Sequence, residues 1–76
     1  MSITQTITDL TYEEAVAARD EAARALYQAE LAVHDAHQTR VEEWIAAAHD
    51  RLHLAVGRFE AADALVSCLR DNALAA

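Results

Sequence analysis

Residues 34–45 read HDAHQTRVEEWI, and two apolar stripes of different register meet within this stretch. Before it, apolar residues recur every three or four positions, as on one face of a helix, with Arg19 as the one polar interruption; this first stripe is Tyr12, Ala15, Ala22, Leu26, Ala29, Val33 and Ala36. After it comes a more regular heptad stripe; its members are Val41, Ile45, Ala48, Leu52, Ala55, Phe59, Ala62, Val66, Leu69 and Ala73. The two registers differ by one residue, or about 100° around a helix. We therefore predict an all-α antiparallel helical hairpin, with one continuous rod as the alternative.

Capping signals place the helix boundaries. Thr11 followed by Glu14 forms a capping box, and Thr39 followed by Glu42 forms a second one at the register break. The β-branched, alternating residues before Thr11 are typical of an extended segment. We predict a single domain over residues 1–76. It consists of an extended arm at 1–10, a first helix at 11–37, a turn at 38–39 and a second helix at 40–75.

Alanine content makes self-association the next expectation. Hydrophobic residues make up 54% of the 76-residue chain, but many are alanines, which bury little area each. A second apolar line runs beside the main stripe of the second helix, and a line of alanines at 18, 25 and 32 would let a partner helix approach closely. Two hairpins should therefore dimerise into a four-helix bundle. The predicted interface residues are Trp44, Ala47, Leu54, Gly57, Ala61 and Leu65.

Composition excludes several classes of function. The formal charge of −7 disfavours nucleic-acid binding. The sequence also lacks an apolar run of about 18 residues, so we predict no membrane span. We expect no secretory signal, and the single cysteine, Cys68, suits a reducing, cytoplasmic location. The chain has no glycine-rich phosphate loop, serine elbow or activated nucleophile. We therefore expect neither catalysis nor a cofactor.

Four histidines raise a metal-binding alternative. His34 and His37 lie three residues apart, and His49 and His53 lie four apart, so each pair shares a helical face. In a hairpin, His49 and His53 could approach Glu30 and form a metal site. The competing interpretation is that all four histidines are solvated.

Acidic residues in the first half suggest a further alternative, an acidic mimic of DNA that inhibits a DNA-binding protein by charge complementarity. The residues concerned are Asp9, Glu13, Glu14, Asp20 and Glu21. An ordinary solvated helix face explains them equally well. Of these hypotheses, we favour a small, non-enzymatic, self-associating protein that acts through protein–protein interaction as a regulator, inhibitor or assembly factor.

Overall fold

The protein is a helical hairpin, as the register break predicts. A computed structural model describes residues 11–75, with side chains through residue 72. Helix α1 runs Tyr12–Thr39 and helix α2 runs Glu42–Ala75, and the two helices pack against each other. The continuous rod is thereby excluded. The predicted arm at residues 1–10 lies outside the described residues.

Thr11 begins α1 as the capping signal predicts. Its backbone is extended (φ −77°, ψ 159°), and its hydroxyl oxygen accepts a hydrogen bond from the Glu14 backbone N–H at 3.0 Å. The same hydroxyl donates to Glu14 Oε1 at 3.0 Å. Glu14 therefore reaches the Thr11 hydroxyl rather than its backbone N–H, which is the partner in a standard capping box.

The turn lies at Arg40 and Val41, two residues later than the sequence predicts. Arg40 is left-handed (φ 61°, ψ 17°) and its N–H donates to the His37 carbonyl oxygen at 3.3 Å, which closes the end of α1. The Thr39 hydroxyl donates to the Ala36 carbonyl oxygen at 2.6 Å and accepts from the Val41 N–H at 3.2 Å. Thr39 thus ends α1 instead of capping α2, because its hydroxyl already holds the turn.

Most of the fully buried residues between the helices are alanines. Among residues 11–72, all six buried hydrophobic residues belong to the two predicted stripes; they are Ala15, Ala29, Ala36, Ala48, Ala55 and Val66. Only Val66 is larger than alanine, and it is 1% exposed. The larger stripe members stay half-buried, among them Leu26, Leu52 and Phe59, while Tyr12 is 47% exposed. A single layer of two helices leaves both of its broad sides open to solvent.

Across the described residues, neither helix has a stretch that is long and apolar enough to cross a bilayer.

Candidate interface groove and histidine pair

One broad side of the hairpin carries a continuous groove between α1 and α2. Three depressions of about 390, 500 and 280 Å³ follow one another along it. The first two share Ala32 and Arg51 as walls, and the second and third share Ala25 and Arg58. We call this feature the alanine groove, because alanines form most of its walls.

The α1 wall of the alanine groove contains the alanine line noted in the sequence. Ala18, Ala25 and Ala32 recur every seventh residue, and each lines at least one of the depressions. A methyl side chain projects little from the helix, so a neighbouring helix can approach closely at such positions. The α1 side therefore supplies a shallow, smooth surface.

Large apolar side chains stand on the α2 wall. Trp44 is 59% exposed and Leu54 is 67% exposed, and both line the groove. Leu65 continues the same side of α2, seven residues after the wall residue Arg58, and is 36% exposed. Exposed apolar groups gathered beside a groove are typical of interaction surfaces.

The structure separates the predicted interface residues into two sets. Trp44, Ala47 and Leu54 line the alanine groove, whereas Ala61 and Leu65 are exposed without lining any of its depressions. Gly57 is exposed, and a Cβ built on it would meet nothing within 4 Å. Within the hairpin, this glycine therefore serves no close helix approach.

Charges are balanced along the alanine groove, although the chain carries a net charge of −7. Glu21 and Asp35 contribute two negative charges, and Arg51 and Arg58 contribute two positive ones. The balanced charges thus reduce, at this surface, the electrostatic repulsion expected between two copies of an acidic chain.

We call the opposite broad side the polar side, because the charged and histidine side chains that meet across the two helices lie there. Arg19 Nη1 lies 3.6 Å from Asp63 Oδ1, with both side chains partly exposed. His49 lies one residue after the buried Ala48, whereas the groove residue Ala47 lies one before it. Ala47 and His49 are two residues apart, or about 200° around a helix, so they project from opposite sides of α2.

His37 and His49 meet across the two helices on this polar side. Their Nε2 atoms lie 3.3 Å apart, and the ring centroids are 5.4 Å apart with an interplanar angle of 84°. The sequence instead predicts that His49 and His53 approach Glu30. Since the turn lies two residues later than predicted, the α1 position opposite His49 moves toward the turn, from Glu30 to about Ala32. His37 lies further still in that direction, and its side chain nevertheless comes within 3.3 Å of His49.

His34 and His53 are exposed, and so is Glu30. Within the part of the chain that the structure describes, no three His, Cys, Asp or Glu side chains gather closely enough to hold a metal ion. Counting outward from a turn at Arg40 and Val41 places His49 opposite about Ala32, so even the correct turn would not have identified His37 as its partner from the sequence.

The remaining candidate residues lie at the surface. The Cys68 thiol is exposed, with the Asn72 amide nitrogen 4.0 Å from its sulfur. The acidic residues proposed to imitate DNA are exposed on α1 where the structure describes them, at Glu13, Glu14, Asp20 and Glu21; Asp9 lies outside the described residues. Arg19 lies among these acids and pairs with Asp63.

Comparison with protein-family models, with curated proteins and with solved structures finds no significant match to this chain.

Proposed function

We propose that this chain is a non-enzymatic helical protein that self-associates through the alanine groove and acts by binding another protein. In the proposed dimer, two hairpins form a four-helix bundle. The observation that carries the proposal is the placement of exposed Trp44 and Leu54 directly beside a groove walled by alanines.

A second copy is the occupant that fits the groove best. The groove offers hollows over Ala25 and Ala32, and the neighbouring α2 wall offers protruding Trp44 and Leu54. A two-fold dimer needs both features on one face, because each copy must supply the projections that fill the other copy's hollows. Burying this face would also give each hairpin the larger apolar contacts that its alanine core lacks.

Charge supports the same occupant. The two acids and two arginines on the groove walls allow Arg51 or Arg58 of one copy to lie near Glu21 or Asp35 of the other. A strongly basic or strongly acidic partner would gain little from such a balanced surface.

The outer surface of α1 would remain free for a different protein after dimerisation. Tyr27 is 54% exposed and Leu31 is 44% exposed, and the two lie four residues apart, on one helical face. Tyrosine is enriched at the energetically dominant positions of interfaces. In the proposed role of regulator, inhibitor or assembly factor, this face is the contact surface for the partner. The exposed thiol of Cys68 agrees with a cytoplasmic, reducing location.

Sedimentation velocity and light scattering test the self-association directly. We expect the wild-type chain to have twice its chain mass of 8.3 kDa at micromolar concentration. Leu54→Glu should weaken the dimer by roughly 3 kcal/mol or more, because two leucines leave the interface and each contributes roughly 1.5–3 kcal/mol when buried. That loss corresponds to about 150-fold or more in the dissociation constant.

Leu31→Glu is the matched control, since it replaces another exposed leucine that does not line the groove. This variant should remain dimeric. A folded wild-type monomer at micromolar concentration would overturn the proposal, and so would equal effects of the two glutamate substitutions.

A further inference from the structure

The two histidines that meet across the helices are separated by a distance at the long end of the hydrogen-bond range. Their Nε2 atoms lie 3.3 Å apart, whereas protein hydrogen bonds from nitrogen to oxygen cluster near 2.9–3.0 Å and extend to about 3.2 Å. Two imidazole nitrogens bound to one tetrahedral zinc ion, each at about 2.0–2.1 Å, lie about 3.3–3.4 Å apart. The observed separation thus equals the distance between two ligands of one metal ion.

The geometry points to a binding site for a divalent transition-metal ion, with Zn²⁺ as its representative, formed by His37 Nε2 and His49 Nε2 and completed by water. Both rings present the same nitrogen to the shared point, and the ring planes are nearly perpendicular at 84°. The perpendicular arrangement lets both lone pairs converge without the rings colliding. Imidazole ligands select zinc, copper and nickel over magnesium and calcium, which prefer oxygen.

The hairpin holds both ligands in place before any ion binds. His37 lies in the last turn of α1, where its carbonyl oxygen accepts the hydrogen bond that closes the helix at Arg40. His49 is half-buried next to the buried Ala48. The two-residue turn and the packed neighbour therefore fix the backbone positions of the two ligands, so only side-chain rotamer freedom is lost on binding.

This site is independent of the proposed dimer, because it lies on the polar side and contributes nothing to the alanine groove. An ion bound by both histidines would link α1 to α2 in the folded state only. It should therefore stabilise the hairpin by mass action. With two protein ligands and water, the affinity should be lower than that of a closed structural zinc site with four protein ligands.

Thermal unfolding with added Zn²⁺ tests the site, in a Cys68→Ser background that removes the exposed thiol as a competing ligand. At an ion concentration ten times the dissociation constant, the folding equilibrium constant should rise about elevenfold. The melting temperature should then rise by about 6–11 °C for a domain of this size. Mg²⁺ at the same concentration should leave the melting temperature unchanged, and titration calorimetry should give one zinc ion per chain.

Four single substitutions identify the ligands. His37→Ala and His49→Ala should each abolish the zinc-dependent shift, whatever they do to the stability of the metal-free protein. His34→Ala and His53→Ala are matched controls on the same two helices and should retain the shift. The site would be overturned by no shift with Zn²⁺, by a shift that survives His37→Ala or His49→Ala, by loss of the shift in either control, or by half an ion per chain.

Discussion

Gly57 lies within α2, and replacing it with alanine should stabilise the hairpin. The position is exposed, and an added Cβ would meet nothing within 4 Å. The substitution therefore carries no steric penalty, and the full difference in helix propensity should appear. That difference is about 0.8–1.0 kcal/mol, which corresponds to a rise in melting temperature of roughly 3–8 °C for a domain of this size.

Circular dichroism at a fixed protein concentration measures this rise. Ala64→Gly is the reciprocal control, because Ala64 lies seven residues later on the same exposed line of α2 and should lose about what Gly57→Ala gains. The sequence suggests that Gly57 belongs to the dimer interface, where an added methyl would obstruct a partner helix. A lowered melting temperature for Gly57→Ala, or a fall in its oligomeric mass, would show that the sequence-based interpretation is correct and the reasoning from the open surface is not.

Three further substitutions test the turn, the N-cap and the core. Arg40→Gly should stabilise the protein by about 0.5–1 kcal/mol, because Arg40 has φ 61° and only glycine adopts that conformation without strain; Arg40→Ala should give no such gain in thermal unfolding. Thr11→Ala should cost about 1 kcal/mol in urea unfolding, since the cap to the Glu14 N–H is lost, while Thr11→Ser should be nearly neutral. Val66→Ala should cost about 2 kcal/mol, because Val66 is 1% exposed; half-buried Val56→Ala should cost clearly less.

Most of the fold follows from apolar periodicity. The two stripes predict two helices packed face to face, and every buried hydrophobic residue in the part of the chain that the structure describes belongs to one of them. Helix periodicity survives small errors in the boundaries, because each stripe is defined by many positions. The start of α1 is also predictable, because the Thr11 side chain accepts the hydrogen bond from the Glu14 N–H that the capping box predicts.

The position of the turn is predicted less well. Thr39 and Glu42 have the spacing of a capping box, but the Thr39 hydroxyl bonds to Ala36 and Val41 instead. Arg40 then adopts the left-handed conformation that usually marks a glycine. Because no glycine or proline marks this turn in the sequence, its location depends on a competition between local hydrogen bonds that spacing alone cannot resolve.

The candidate sites show the consequence of the error in the predicted position of the turn. The α2 line containing Trp44 and Leu54 is found from the sequence, because its exposure depends only on position around the helix. The partner of His49 is not found, because it depends on how far α1 and α2 are shifted along each other. A displacement of two residues in the turn moves the position opposite His49 by at most four residues, so the approach of His37 depends also on the length and direction of the two side chains.

The small size of the fully buried residues also affects how the protein should respond to temperature. Since five of the six are alanines, unfolding one hairpin should expose less nonpolar surface than unfolding a domain of equal length with a leucine-rich core, and the change in heat capacity should be correspondingly smaller. The free energy of unfolding would then vary only weakly with temperature. Cold denaturation should therefore occur only at very low temperature, and the thermal unfolding transition should be broad.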